Sequence, residues 1–358
     1  MTERCGKVLA ETLRSIGPAS AAAREAAEER WAGVAMPLHG LGVLQDDVCR
    51  IAAAQGSADV EVAPRRLAVF CADNGVVAEG VSQSGPEVTT AVARNLCDGA
   101  TSSCRMGERA GCPVSGVDVG MLEDVDDPRL LVRKRAHGTA DAAEGPAMSR
   151  DDAIFSVEGG IELAEAWAGE GARLLLAGEM GIGNTTTSSA VACALLDEEP
   201  SFMTGRGAGL SSEGLARKVK TVERALEVNC PDPDDAIDVI AKVGGFDIAA
   251  MCGFYLGCAA SHVPAVLDGF ISGVAALCAV RLCPGASGYL LGSHVSSEPA
   301  ALLVLDEVGV EAPLRAGMHI GEGTGALTLL PLLDMAVSVY TESRSFEDTG
   351  MDAYEELT

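Results

Sequence analysis

Hydrophobic and polar positions divide the chain into three kinds of stretch. The first 60 residues read as helical: Ala21 to Ala32 carries Ala, Glu and Arg, and a Pro/Gly-marked turn precedes a second helix ending near Gly56. Next comes a short apolar run, Arg66–Ala72, ending in Asp73-Asn74-Gly75, the pattern of a strand delivering polar groups to a sheet edge. A helix is expected over Val88–Leu96 and a second strand over Cys112–Val119, followed by a charged, loop-rich stretch from Leu122 to Asp152. Ile154, Val157, Ile161, Leu163, Ala164 and Trp167 recur at helical spacing and predict a core-facing stripe.

The clearest unit is Arg173–Ala177 as strand, Gly178–Asn184 as Gly-punctuated loop and Thr185–Leu196 as helix. A second such unit is expected at Ala236–Val243, Gly244-Gly245-Phe246 and Asp247 onward, and the alternation repeats from Ala300–Leu305 to the C-terminal helix, with an acidic tail after Phe346. Continuously apolar strands alternating with helices indicate an α/β fold, a mostly parallel sheet flanked by helices. From Ile248 to Leu267 there is no charged side chain. His262, Pro264 and the many small residues favour a buried helix and a short strand, His262–Leu267, over a membrane span.

Charge narrows the function classes. The 358 residues carry 26 Lys+Arg against 52 Asp+Glu, a formal charge of -26 that disfavours nucleic acid and anionic membranes as partners. A local anion site is compatible with it, because helix starts and a few lysines hold a phosphate whatever the net charge. The 12 cysteines are scattered without zinc-site spacing, and MTERCGKVLA lacks a signal-peptide pattern, so free thiols and a cytoplasmic location are expected.

Three Gly-rich loops carry the candidate chemistry. Gly178 to Thr187 (GEMGIGNTTT) can turn N–H groups toward an anion at a helix start, yet it also reads as a tight turn with Thr caps. It is neither a Walker loop nor a dinucleotide fingerprint, which argues against a dehydrogenase. Thr204 to Leu210 (TGRGAGL) is followed by Lys218, either the missing positive charge or a solvated surface lysine. Glu322 lies between glycines in Gly321-Glu322-Gly323-Thr324-Gly325, placed as a general base that a flat substrate can approach, or as a helix cap. Asp73, Glu79, Ser82 and Gln83 follow the first strand, and Ser293, His294 and Ser296 form a later polar loop; no Ser-His-Asp order is present.

GEMGIGNTTT, TGRGAGL with Lys218, and HIGEGTGA occur in the order that marks a known family. With ADNGVVAEGVS near the start and PLLDMAVSVYTESRSFEDTG near the end, the chain resembles the nicotinate-nucleotide:5,6-dimethylbenzimidazole phosphoribosyltransferases from about Leu67 to Gly350. The resemblance implies transfer of a 5-phosphoribosyl group from nicotinate mononucleotide to a benzimidazole nitrogen, with no cofactor or metal. It implies Glu322 as general base and Glu179 as a carboxylate near the ribose. Gly181, Gly183, Asn184, Lys218 and Ser296 match the phosphate and nucleotide surroundings, Ser82 and Gln83 match the base pocket, and Gly323 and Gly325, directly after Glu322 and Thr324, are expected to bind substrate. It further implies a homodimer and a smaller helical domain from the terminal segments: a cap over residues 1–60, a catalytic domain over 61–330, and a C-terminal helical segment over 331–358 packing with the cap.

Two stretches depart from the family pattern. Its usual Pro-Pro-Gly-Ser-Leu-Gly stands here as Met36-Pro37-Leu38-His39-Gly40-Leu41-Gly42, and its Asp-His-Gly as Asp73-Asn74-Gly75. Both bear on which base is accepted. The competing expectations are a noncatalytic nucleotide-binding or sensory protein, and a transferase for another azole, a purine or a phenolic acceptor.

Overall fold

The computed structural model describes residues 6–354. Its centre is a parallel six-stranded sheet: β1 (Arg65–Ala72), β2 (Val114–Gly120), β3 (Leu131–Val132), β4 (Leu174–Met180), β5 (Ala265–Val266) and β6 (Leu290–Leu291), in the order β3-β2-β1-β4-β5-β6. The chain builds outward from β1 through β2 to β3, then returns to lay β4 on the other side of β1. That reversal creates a crevice at the carboxyl ends of β1 and β4, where α/β sheets bind ligands.

Alternation along β1 divides the core. Ala68, Phe70 and Ala72 face helices Arg150–Gly169, Asn184–Leu196, Phe246–Ala260 and Phe270–Leu282. Leu67, Val69 and Cys71 face helices Ala21–Gly33, Val43–Gln55, Ser102–Ala110 and Thr324–Glu342. Helices Arg150–Gly169 and Phe246–Ala260 approach backbone to backbone: a Cβ on Gly160 would lie 1.9 Å from the Ala250 carbonyl oxygen, and one on Gly253 1.8 Å from that of Val157.

Residues 6–60, the described part of the expected helical segment, are mostly helical, but their helices serve both layers. Helix Lys7–Ser15 joins the first, with the Leu9 N–H donating to Glu158 Oε1 at 3.1 Å. Helices Ala21–Gly33 and Val43–Gln55 join the second. The two ends of the chain meet there. Val34 bridges Ser345, the Ala35 N–H donates to the Arg344 carbonyl at 3.0 Å, and the Trp31 and Tyr340 rings pack 5.0 Å apart. Helix Thr324–Glu342 runs unbroken through residues 330 and 331, where the sequence places a domain boundary. This helix is long and apolar enough to cross a membrane, yet half of that stretch is buried inside the protein, packed on β4 and helices Val43–Gln55 and Ser102–Ala110.

Several elements differ from their sequence expectation. Ala236–Val243 is a helix, not a strand, because Asp235 caps it by accepting the N–H groups of Ile237 and Asp238 at 3.1 Å. Residues 301–305 fall in helix Ala301–Val308, with Ala300 as its N-cap, and its buried Ala301, Val304, Leu305 and Val308 follow helical spacing. The expected strand His262–Leu267 shrinks to Ala265–Val266 behind the buried helix Phe246–Ala260. β4 runs to Met180, three residues beyond expectation, which leaves only Gly181–Gly183 as loop.

Candidate active site

At the carboxyl edge of the sheet lies a cleft of about 360 Å³, lined by Ser82, Gln83, Glu179, Gly181, Gly183, Asn184, Ser296 and Glu322 among the residues singled out by sequence. Glu179 ends β4 and is buried. The Asn184 side-chain amide donates to the carboxylates of both Glu179 and Asp247, the latter at 2.9 Å. Burial pushes Glu179 up to about 8, opposed by the Asn184 hydrogen bond and reinforced by the Asp247, Asp268 and Glu322 carboxylates. Burial likewise raises Asp247 to about 6.

Glu322 stands on a turn of three successive left-handed residues, with φ of 82° at Gly321, 57° at Glu322 and 77° at Gly323. Its N–H donates to the Glu179 carbonyl at 3.1 Å, which joins the two carboxylate-bearing segments. The Glu322 side chain is held by Ser103, whose Oγ donates to Oε2 at 3.0 Å and whose N–H points to the same oxygen at 3.4 Å. Ser103 lies in the first turn of helix Ser102–Ala110, capped by Thr101, so the carboxylate sits at the positive end of that helix.

Lys218 is fully buried behind the cleft, with Nζ donating to Thr185 Oγ1 at 2.7 Å. Thr185 lines the cleft, which puts the ammonium one hydroxyl away from it. Desolvation pulls Lys218 down to about 8, against the nearby Glu298 carboxylate. Glu298 also accepts the Gly207 N–H at 2.9 Å, anchoring the loop over the lysine.

Other sequence candidates take different places. Gly323 and Gly325 do not line the cleft; their N–H groups donate to Asp268 at 3.0 and 2.7 Å, so they build the support under Glu322. The Gln83 side-chain amide donates to the Gly209 carbonyl, latching two loops across the cleft mouth. Asp73 turns from the cleft and accepts the Leu122 N–H at 2.8 Å. Sequence reasoning missed Ser103, Asp247 and Asp268. The signals available were the capping run Thr101-Ser102-Ser103 and an Asp-Gly pair closing an apolar run at Asp268-Gly269.

Two carboxylates and a buried lysine around a crevice at the switch point of a parallel sheet are the equipment of a group-transfer enzyme. A family model described as "Phosphoribosyltransferase" matches residues 16–351, and that defines the class. A nicotinate-nucleotide–dimethylbenzimidazole phosphoribosyltransferase of Acetivibrio thermocellus is 42% identical over 97% of this chain and 99% of its own, and one of Ruminiclostridium cellulolyticum is 40% identical over 97% and 99%. The crystal structure of CobT from Thermus thermophilus superposes with a TM-score of 0.88 at 37% identity, covering 93% of this chain and all of that one. The chain belongs to the nicotinate-nucleotide–dimethylbenzimidazole phosphoribosyltransferase family.

Proposed function

We propose that the protein transfers the 5-phosphoribosyl group of nicotinate mononucleotide to 5,6-dimethylbenzimidazole, giving α-ribazole 5′-phosphate and nicotinate. The observation that carries this reading is the Glu322 carboxylate, fixed by Ser103 at the cleft and tied through its backbone to Glu179. The pyridinium leaving group already bears positive charge. When the C1′–N bond breaks, its electron pair passes to the ring nitrogen and nicotinate departs without needing an acid. A benzimidazole nitrogen lone pair forms the new C1′–N bond, and Glu322 takes the proton from the other ring nitrogen. Glu179, protonated in the ligand-free cleft, stabilises the cationic character at the sugar once the positively charged mononucleotide beside it has driven off its proton, and Lys218 with Thr185 faces the 5′-phosphate. None of these steps calls on a cofactor.

The test is nicotinate release from the mononucleotide with and without dimethylbenzimidazole. Release is expected to depend on the acceptor and to fall about 100-fold or more in Glu322→Gln, the order of effect of losing a general base. Mononucleotide binding without release would favour a binding role instead. The reading includes a cytoplasmic homodimer. The 11 free cysteines among the described residues fit a reducing compartment, and light scattering of the purified chain tests the dimer.

A further inference from the structure

Asp268 takes no part in the chemistry above, yet the start of the Glu322 helix converges on it. Its side chain is buried, and burial pushes the carboxyl up while His294 and three N–H donors pull it back down. Oδ2 accepts the Gly323 N–H at 3.0 Å; Oδ1 accepts those of Gly325 at 2.7 Å and Ala326 at 3.3 Å. Helix starts leave such donors without intrahelical partners, and here one carboxylate gathers three of them. The first belongs to the residue directly after Glu322.

Asp268 is itself immobilised. Its N–H donates to Ser272 Oγ at 2.8 Å, and its carbonyl accepts from Ser293 Oγ at 3.0 Å. A Cβ at position 325 would lie 1.9 Å from His294 Nδ1 and 2.8 Å from Asp268 Oδ1, so glycine there lets both side chains close on the helix start. The Glu322 backbone is in the left-handed region, which a non-glycine residue keeps only where its surroundings enforce it. The Glu179 carbonyl holds the strained residue from before and the Asp268 carboxylate from after, while the Thr324 N–H and Oγ1 close the turn across it by donating to the Gly321 carbonyl at 3.0 and 2.8 Å.

Asp268 stands in the wall of the cleft, but both of its carboxylate oxygens are taken up by backbone N–H groups. We infer that Asp268 is a positioning residue for the base: it holds Glu322 in its left-handed turn and acts on the transfer through Glu322. This inference rests on the proposed reaction.

The experiment compares steady-state kinetics of wild type, Asp268→Asn, Glu322→Gln and the double variant, with circular dichroism and thermal melts to confirm folding. Asp268→Asn is expected to lower kcat by about 10- to 100-fold, the scale of a misplaced catalytic group, with KM for nicotinate mononucleotide within about threefold of wild type. In the Glu322→Gln background the same substitution is expected to cost less than about twofold, because two residues acting as one unit do not add. An equal loss in both backgrounds overturns the inference, as does a rise in KM with kcat unchanged, or full activity. Asp268→Ser provides a second, smaller substitution. Failure of both variants to fold overturns the inference too, since Asp268 is then a residue of the fold alone. Absence of acceptor-dependent release by wild type, or full activity of Glu322→Gln, overturns the reaction itself and is read from separate arms.

Discussion

Lys218 shows how much one buried charge is asked to do. Its ammonium is out of water with one hydroxyl partner, and desolvation brings its pKa from the ordinary 10.5 to about 8. The unfolded chain keeps a proton that the folded one releases between about pH 8 and 10.5, so this group's contribution to stability rises with pH across that window. Below pH 8 the full cost applies, on the order of 3 kcal/mol. Lys218→Met keeps the volume and removes the charge. Its Tm is expected to exceed that of wild type at pH 7, while KM for nicotinate mononucleotide rises roughly 10- to 100-fold for loss of a charged hydrogen bond. Melting curves and steady-state kinetics check the two halves, and an unchanged KM would remove Lys218 from the site. Glu322 was legible in the sequence because glycines flank it, whereas Glu179 entered only through the family resemblance. Ser103 and Asp268 were not legible, because the atoms they hold lie 219 and 55 to 58 residues away along the chain.

Among the elements, strands β1, β2 and β4 and the long helices were readable from their apolar periods. The eight-residue helix Ala236–Val243 was not, since a short apolar run fits a buried strand or a buried helix equally well. Only the capping aspartate before it distinguishes the two. Nor does the uncharged run from Ile248 say which helix it meets, although its glycines at 253 and 257 are the trace of that contact. A Cβ on Gly257 would stand 2.7 Å from the Ile161 carbonyl oxygen, so the small residues allow two backbones to touch. Gly253→Ala is therefore expected to destabilise the fold by about 2 kcal/mol or more through overpacking, measured by urea denaturation. Wild-type stability in that variant would show that the helices can part without penalty.

For the molecule as a whole, a parallel sheet was readable from sequence, but strand order was not, because nothing local reports where β4 returns beside β1. Charge, in contrast, is a whole-molecule quantity visible at once. Burial raises Glu179 and Asp47 to about 8 and Asp247 to about 6, and Asp47 Oδ2 has no hydrogen-bond partner. Each folded carboxyl keeps a proton that the unfolded chain has lost, so stability present at low pH is lost as pH rises through those values. Self-repulsion at a formal charge of -26 adds to the same trend. The ligand-free protein is expected to show a falling Tm from about pH 5 to pH 8, partly recovered by added salt, and differential scanning fluorimetry tests it. A profile that rises instead would mean these carboxyls are ionised in the fold. The pairing of the chain's two ends sets a clock on biogenesis. Val34 finds Ser345, and Trp31 finds Tyr340, only after roughly 300 further residues have left the ribosome. At about 5–20 residues per second that takes roughly 15–60 s, during which Trp31 has helix Val43–Gln55 beside it but lacks the Tyr340 ring, and that uncovered part is open to chaperones.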